Sequence, residues 1–523
     1  MAVIKKIKLH NFKRFQNFSV ELDNKINLFI GDNESGKSSI LSAIDIVLSG
    51  SRTKVETIGL DSLFNLEVIQ TFLASDRKFV NLPHLFVELY LDEQNNPDLN
   101  GRINSDGVLC DGLRLICEPN DALSKEMEEI LKQAEPNFPF EYYSVSYKTF
   151  SGDSYTGYRK FLRHVLIDNS QISSEYATRD FVKTMYNSAV VETEKNKHQN
   201  EYRKYKEDFK RNVLSDVNGR VSLNNYSFTI RSGSKASLET DLTISENEIN
   251  IENKGKGKQC FIKTDFALKK KIKNRDLDVV LIEEPENHLS HINMKKLIRR
   301  ISESENRQLF VATHNDLIST RLDLRKSILL NSGNSAPVLL SGLPDSTAKF
   351  FIKAPDNNVL EFILSKKVIL VEGDAEFILI DAFFQKIAQE KLEDSDVHVI
   401  SVGGTSFKRY LDIAKILQIK TAVIRDNDGD YQANCVDNYS AYPEDYIHVF
   451  ADKSPDRYTF EIALYQDNIA ICNELFEDGR KKLSVQEYML KNKADIAFEL
   501  LDKKGTEVAP PSYIAEAIQW IKK

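Results

Sequence analysis

A glycine-rich loop near the start of the chain has the residues needed to hold a nucleotide phosphate. Residues 31–38 read GDNESGKS, which matches the pattern GxxxxGK[ST]. A strand-like run, INLFI, precedes the loop and the helical SSILSAIDIVLS follows it. Backbone N–H groups of such a loop wrap phosphates at a helix N-terminus, while Lys37 reaches the β- and γ-phosphates and Ser38 offers a hydroxyl to Mg²⁺. The loop therefore predicts binding of ATP with Mg²⁺.

Two acids and a histidine far along the chain complete the predicted ATPase site. Glu283 ends the apolar run VVLIE, where it is placed to hold the Mg²⁺ shell, and Glu284 beside it is placed to orient a water. His314 ends a second apolar strand, LFVATH, and is placed to sense the γ-phosphate. The residues predicted to bind the nucleotide are Gly31, Asn33, Gly36, Lys37, Ser38, Ser39 and Glu283.

A second group of acids lies in the last third of the chain. Glu372 follows the strand-like KKVILV and Glu376 falls on the first turn of the next helix. Asp426 and Asp428 end a later apolar run, AVIRDND, and project the same way if the chain stays extended. Four such oxygen donors suit a hard cation, Mg²⁺ or Mn²⁺. Their order, with GGT at 403–405 between the two pairs, predicts a divalent-metal site.

The elements that must position these residues indicate an α/β fold class. The first segment alternates as strands do, and HLFVELYLDE at 84–93 predicts a half-exposed antiparallel strand. Residues 227–259 return to strand-like alternation and end in a Gly/Lys loop, and KKVILVEG begins a small parallel α/β unit. The predicted parts are an ATPase first lobe at 1–160, an inserted helical arm at 161–222, an ATPase second lobe at 223–355, and a metal-binding domain at 360–523, with a link near Pro355.

The inserted arm is highly charged and lacks Gly and Pro over its central part, EKNKHQNEYRKYKEDFKRN. Tyr202, Tyr205, Phe209 and Val213 recur at helical intervals, which predicts a helix between about 176 and 213. Two interpretations stay open, a solvated helix packed on its own domain and a dimerisation arm.

Composition limits the function classes. The chain has 523 residues, 41% of them hydrophobic, and a net charge of −8, so a nucleic-acid partner must meet a local basic surface. No apolar stretch has the length of a membrane span, and the five cysteines form no CxxC pair, which predicts a cytoplasmic protein without a membrane partner. The nine histidines show no zinc-ligand spacing.

The two Walker-type motifs, separated by a long insertion, with EEPE followed by His314, resemble the RecF/SMC/ABC class of ATPases over residues 1–347. In that class a signature loop from a second ATPase head completes the nucleotide site, which implies at least a dimer. The corresponding segment here is KGKGKQ at 254–259. It departs from the family's Ser-Gly-Gly pattern, so a signature loop and a simple turn both stay open.

The acids at 372, 376, 426 and 428, in that order and spacing, resemble the Toprim domain of topoisomerases, primases and OLD nucleases. An ABC-type ATPase joined to a Toprim domain resembles the OLD (overcoming lysogenisation defect) family of ATP-dependent endonucleases. The resemblance implies ATP hydrolysis, a two-metal DNA endonuclease with Mg²⁺ or Mn²⁺ at both sites, and a bacterial or prophage role in antiphage defence. It adds Glu461 as a metal ligand and Lys493 as a charge stabiliser in catalysis, with Lys491 an equally placed alternative.

The same resemblance implies a homodimer or higher oligomer, acting alone, with a helicase-like partner, or with a retron reverse transcriptase and its RNA–DNA product. The alternative function is a RecF/SMC-like repair or structural clamp with an inactive Toprim site. A topoisomerase would need a strand-attacking tyrosine and a DNA-gating module, and a primase would need no ABC head. Neither is favoured by the motifs present.

Overall fold

The computed structural model describes residues 3–157, 161–170, 175–221, 226–231, 237–268, 277–304, 307–330, 336–354, 358–477 and 482–523. The chain forms two compact units, of which the first comprises residues 1–314 and 328–337 and the second comprises residues 315–327 and 338–523. The predicted link at Pro355 lies outside the described residues, and the division into four parts stays a prediction. Among the residues described, no helix is long and apolar enough to cross a membrane.

The strands are β1 Ile4–Phe12, β2 Phe15–Glu21, β3 Ile26–Ile30, β4 Leu85–Leu91, β5 Asn100–Gly101, β6 Cys110–Pro119, β7 Tyr143–Thr149, β8 His164–Asp168, β9 Ser245–Glu246, β10 Ile249–Asn250, β11 Val279–Glu283, β12 Gln308–Thr313, β13 Ser327–Leu329, β14 Val338–Leu339, β15 Lys367–Val371, β16 Val397–Ser401, β17 Lys420–Ile424 and β18 Ile447–Phe450.

The α-helices are α1 Lys37–Ser49, α2 Arg52–Ile58, α3 Leu60–Leu63, α4 Leu66–Ala74, α5 Ser124–Leu131, α6 Glu175–Ala189, α7 Glu192–Asn212, α8 Ser215–Val221, α9 Leu238–Asp241, α10 Lys256–Leu268, α11 His291–Ser302, α12 Asp316–Arg321, α13 Asp345–Lys353, α14 Val359–Leu364, α15 Asp374–Ala388, α16 Phe407–Leu417, α17 Phe460–Asp467, α18 Ile469–Phe476, α19 Val485–Lys491, α20 Lys493–Lys504 and α21 Ser512–Lys522.

One sheet of the first unit is antiparallel, with strand order β2-β1-β4-β6 and with β5 and β7 both paired to β6. The prediction that β4 is half-exposed is wrong, because every residue of β4 is buried. Its central place buries both faces, and the polar residue Glu88 is tolerated there because its carboxylate accepts bonds from Ser105 and from the Tyr90 hydroxyl at 3.0 Å. Alternation alone therefore did not reveal how deeply the strand lies.

The other large sheet of the first unit is parallel over β3, β12, β11 and β8, in that order, with β13 beside β3. Its register pairs Glu283 with Ala312 and with Asp168, and Thr313 with Ile30. Carboxyl ends of parallel strands meet at one edge of a sheet. The glycine loop after β3, the acids after β11 and His314 after β12 therefore share this edge.

The described residues between β8 and β11 are largely helical. The prediction of a helix over 176–213 is confirmed by α6 and α7, while the role of this segment in dimerisation stays a prediction. The prediction of strand-like alternation over 227–259 is wrong for most of its described residues. They hold the short helix α9, a hairpin of two-residue strands turning at Asn247 and Glu248, and the start of α10. The hairpin strands are exposed, so no buried face extends them.

The second unit is built on a parallel sheet of order β16-β15-β17-β18. Apolar faces of α15, α17, α20 and α21 pack into one core with this sheet, including Ile369, Leu379, Phe383, Phe460 and Ile518. The small parallel sheet predicted from the sequence is thus confirmed. Its central strands β15 and β17 are adjacent, so the segments that follow them, at 372 and 426, lie together at one edge.

Candidate functional site

The glycine loop takes a shape that only glycine permits at two of its positions. Gly36 has φ +99° immediately before α1, and a Cβ at Gly31 would lie 2.3 Å from the Leu330 carbonyl oxygen. Lys37, the first residue of α1, is buried and its ammonium donates to the carbonyls of Gly31 at 2.7 Å and Asp32 at 2.8 Å. The loop carbonyls thus hold the positive charge of Lys37 at the N-terminus of α1. Asn33 is exposed on the loop and Ser39 is half-buried in the first turn of α1.

The two residues predicted to hold Mg²⁺ at the nucleotide site meet in the structure. Glu283 ends β11, and Ser38 lies near enough to its carboxylate to lower the pKa of that group. Burial raises the pKa of Glu283, and the charges of Asp168 and Glu284 raise it further. Asp168 was missed by the sequence reasoning, although it too ends an apolar strand, HVLID. These hard oxygen donors, gathered around the Glu283 carboxylate, fit a divalent cation at this position.

Glu284 and His314 also come together, through an acid that the sequence reasoning overlooked. Glu284 has φ 45° and accepts a bond from Asn287 at 2.6 Å, while its carboxylate lies 3.8 Å from His314 Nδ1. Glu286 is buried and accepts bonds from the Thr313 hydroxyl at 2.7 Å and from the His314 backbone N–H at 3.0 Å. Its Oε1 also lies 3.4 Å from His314 Nδ1. The sequence could have pointed to Glu286, because it is the last residue of the EEPE motif.

The lysine and glycine segment at 254–259 runs into α10, which begins at Lys256. A Cβ at Gly257 would lie 2.1 Å from the His288 carbonyl oxygen, so this position needs glycine to approach the chain that follows EEPE. Lys254 and Lys258 both lie 3.0 Å from the Glu246 carboxylate. The assignment of this segment as a signature loop stays a prediction.

In the second unit, the acids predicted at 372, 376, 426 and 461 gather at the edge of the parallel sheet. The Asp426 backbone N–H donates to the Glu372 carboxylate at 3.5 Å, and the Asp426 carboxylate accepts from the Phe460 N–H at 2.7 Å. Glu461 lies on the same turn of α17 and is 1% exposed. We call Glu372, Glu376, Asp426 and Glu461 the acid cluster.

Burial and mutual repulsion favour the protonated form of two carboxyl groups in the acid cluster. Burial raises the pKa of Glu376 to about 7, and the charges of Glu461 and Glu372 add to the effect. Burial likewise raises the pKa of Asp426 to about 8, with further contributions from Glu376, Glu372 and Glu461. Lys493 opposes both shifts, and its ammonium lies 3.0 Å from the Glu461 carboxylate.

The structure distinguishes between the two lysines that the sequence left open. Lys493 begins α20 and pairs with Glu461. Lys491 ends α19, where its charge acts on Glu487. Of these two residues, Lys493 is therefore the one that adjoins the acid cluster.

The expectation that Asp426 and Asp428 project the same way is wrong, because the chain does not stay extended after β17. Asp428 has φ 49° and Gly429 φ 84°, which turns the chain sharply. The Asp428 carboxylate accepts a bond from the Arg425 guanidinium at 2.9 Å, and its side chain is 52% exposed. Arg425 was missed by the sequence reasoning, although it stands directly before Asp426. The role of Asp428 as a metal ligand stays a prediction.

The donor chemistry of the acid cluster fits a divalent cation. Within the ranges that the structure describes, no group of three or more His, Cys, Asp or Glu side chains is drawn together closely enough to hold an ion as it stands. The donors are nonetheless carboxylate oxygens, which Mg²⁺ and Mn²⁺ prefer, and burial together with repulsion from neighbouring carboxylates raises the pKa of Glu376 and Asp426. A cation there would relieve that repulsion.

Comparison with known proteins finds a domain family over each of the two regions that contain these residues. Residues 3–318 match the AAA ATPase domain family, and residues 363–428 match the Toprim domain of overcoming-lysogenisation-defect-like proteins. The first match covers more than half of the chain. The chain belongs to this ATPase family and carries an OLD-like Toprim domain, so the predicted resemblance and the predicted fold class are confirmed. No match was found among curated proteins.

Some solved structures are similar to the larger part of the chain and others to a smaller part. An Smc head domain with an extended coiled coil from Pyrococcus furiosus is 14% identical, with a TM-score of 0.37 over 68% of this chain and 100% of its own. The SMC head domain from Thermotoga maritima is 15% identical, with a TM-score of 0.31 over 64% and 97%. The C-terminal region of the Xanthomonas campestris pv. campestris OLD protein is 21% identical, with a TM-score of 0.24 over 30% and 94%. At these TM-scores, none of the three bears on the function of this chain.

Proposed function

We propose that this protein is an ATP-regulated, divalent-metal-dependent DNA endonuclease of the OLD type. The observation that carries the proposal is the acid cluster beside Lys493, in a Toprim domain that accompanies an ATPase domain. Burying several carboxylates together costs stability, and carboxylates with raised pKa values are typical of functional sites. A structural acid pair would be balanced by nearby cations, whereas in this cluster burial and repulsion between carboxylates outweigh the opposing charge of Lys493 and raise the pKa of Asp426.

In this proposal the acid cluster and Asp428 hold Mg²⁺ or Mn²⁺. When bound, such ions lower the pKa of a water and stabilise the leaving oxygen in phosphodiester hydrolysis. The Phe460 N–H donates to Oδ1 of Asp426 at 2.7 Å and so restricts the orientation of this carboxylate. Lys493 contributes a positive charge that stabilises the charge developing on the scissile phosphate. Glu461 is buried on α17, whereas the Lys493 side chain with which it pairs is half-exposed.

At the nucleotide site, Lys37 and the loop backbone would bind the β- and γ-phosphates, and Ser38 and Glu283 would hold Mg²⁺. Glu284 would orient the attacking water, while His314 would sense the γ-phosphate. Glu286 holds the His314 backbone and lies beside its ring, so it would set the position of that histidine. Hydrolysis at this site would then regulate cutting.

Further parts of the proposal rest on the family alone. They are a cytoplasmic location, a role in antiphage defence, self-association into a dimer or higher oligomer, and cooperation with a helicase-like protein or a retron reverse transcriptase and its RNA–DNA product. The helices α6 to α8 are the proposed self-association segment, because α7 exposes Tyr205 and Phe209 to solvent.

The decisive experiment compares Asp426→Ala with wild type in plasmid nicking with Mg²⁺ or Mn²⁺, together with ATPase rate and melting temperature. We expect nicking to fall by at least about 100-fold, because removal of a central donor disables a metal centre, while ATP hydrolysis persists in the other unit. Asp456→Ala, an exposed acid of the same unit, is the matched control and should nick normally. Retained nicking by Asp426→Ala, or none by wild type with any metal, nucleotide or partner, would favour the RecF/SMC-like clamp.

A further inference from the structure

Arg425 occupies an unusual place between the acid cluster and Asp428. Its side chain is only 4% exposed and makes three polar contacts. Nε donates to the Asp426 carbonyl at 2.8 Å, Nη1 to the Tyr439 hydroxyl at 3.3 Å, and Nη2 to the Asp428 carboxylate at 2.9 Å. A buried guanidinium needs a compensating charge. In this structure, the Asp428 carboxylate is the group that Nη2 holds.

This contact turns Asp428 away from the role expected of it. The Asp426 carboxylate bonds the Phe460 N–H and shares the field of Glu372, Glu376 and Glu461, whereas the Asp428 carboxylate is half-exposed and paired to a cation. The Asp428 N–H donates to the Tyr458 carbonyl at 3.2 Å, so the backbone of this turn is fixed. Redirecting the carboxylate therefore requires rotation of its side chain, and it requires that the bond to Arg425 open.

We infer that Arg425 is a positioning residue that withholds Asp428 from the metal centre in the resting protein. The first metal ion binds through the acid cluster without Asp428, and Asp428 joins only after its pair with Arg425 opens. The Asp428 carboxylate is half-exposed, so a metal ion can compete for it, while the buried Arg425 keeps its bonds to the Asp426 carbonyl and the Tyr439 hydroxyl. This inference rests on the proposed function, because it supposes a metal centre at the acid cluster.

The test is Mn²⁺ binding to the full chain without nucleic acid or nucleotide, measured by electron paramagnetic resonance of free Mn²⁺. We expect Asp426→Asn to weaken binding at the acid cluster by about ten-fold or more, since a buried donor is lost. Asp428→Asn should change the affinity by less than about two-fold, because its carboxylate is engaged elsewhere. Arg425→Gln should tighten binding by about three-fold or more, because a repelling cation is removed and Asp428 is released.

A double variant separates these two causes. In Arg425→Gln with Asp428→Asn, the released donor is absent, so binding should be weaker than in Arg425→Gln alone. Tyr439→Phe is the matched control: it removes one contact of Arg425 and leaves the ion pair, and it should bind Mn²⁺ as wild type does. Melting temperatures of all variants report whether each one folds.

The outcomes distinguish the inference from the function on which it rests. If wild type binds no Mn²⁺ at the acid cluster, the proposed metal centre itself is wrong, and the inference falls with it. If wild type binds and Asp428→Asn weakens binding as much as Asp426→Asn does, Asp428 is already a ligand and only the inference is overturned. Unchanged or weaker binding by a folded Arg425→Gln overturns it too. If Arg425→Gln does not fold, the comparison between the two aspartate variants decides.

Discussion

The nucleotide loop and the acid cluster follow the carboxyl ends of parallel strands, yet they are stabilised differently. At the nucleotide loop the positive charge of Lys37 is held by backbone carbonyls, and the loop's shape depends on glycine at two positions. At the acid cluster several carboxylates crowd together, and the pKa of Asp426 rises to about 8. The nucleotide loop should therefore be sensitive to replacement of its glycines and to loss of the Lys37 ammonium. The acid cluster should be sensitive to pH and to divalent ions.

The largest effect is expected at the nucleotide loop. Lys37→Ala should lower ATP affinity by at least about 100-fold, because the ammonium is the side-chain cation that the loop holds for phosphate. Fluorescent-nucleotide titration and thermal unfolding would measure affinity and fold. Lys125→Ala, which removes an exposed lysine from α5, should leave affinity unchanged. Normal nucleotide affinity in Lys37→Ala would remove Lys37 from the site.

The next effect separates binding from chemistry at the same site. Glu284→Gln should bind ATP with near-normal affinity and hydrolyse it at least about ten-fold more slowly, since only the water-orienting carboxylate is lost. Steady-state phosphate release gives the rate, and Glu303→Gln, an exposed glutamate of the same unit, is the control. A normal hydrolysis rate in Glu284→Gln would assign the base to another residue.

A pH series tests the charge at the acid cluster. In the folded protein Asp426 and Glu376 keep their protons up to about pH 8 and about pH 7, against ordinary values of 3.8 and 4.5. The folded state therefore binds more protons than the unfolded state across this window. The free energy of unfolding from these groups should consequently fall as pH rises from about 4 to about 8.

The measurement is the melting temperature in EDTA at about pH 5.5 and about pH 8. Wild type should lose more stability between these values than Asp426→Asn, which cannot acquire the charge, and Asp456→Asn should behave as wild type. Added Mn²⁺ should restore stability at the higher pH, because a cation binds only the folded cluster. An equal loss in wild type and Asp426→Asn would contradict the raised pKa.

The smallest effect concerns Glu286. Glu286→Gln keeps an acceptor for the Thr313 hydroxyl and the His314 N–H, so it should slow ATP hydrolysis by only about a few-fold, whereas Glu286→Ala should slow it more. Rates of the two variants, with ATP affinity measured beside them, test this order. Equal rates in both variants and wild type would show that Glu286 does not position His314.

The sequence by itself determined the parts of both sites that depend on local pattern. GxxxxGKS between a strand and a helix specifies the loop around Lys37, and acids that end apolar strands specify Glu283, Glu372 and Asp426, because both rules act within a few residues. The match to an ATPase family and to an OLD-like Toprim domain confirms the family resemblance that these patterns predict.

Only the tertiary structure decided how the remaining groups are partnered. The depth of β4 depends on strands that flank it on both sides, and the pairing of Lys493 with Glu461 joins α20 to α17. The place of Asp428 depends on a left-handed turn and on the buried Arg425, although an extended chain would have aimed it beside Asp426. These outcomes arise from long-range packing and from the need of buried charges for partners, neither of which a spacing along the chain records.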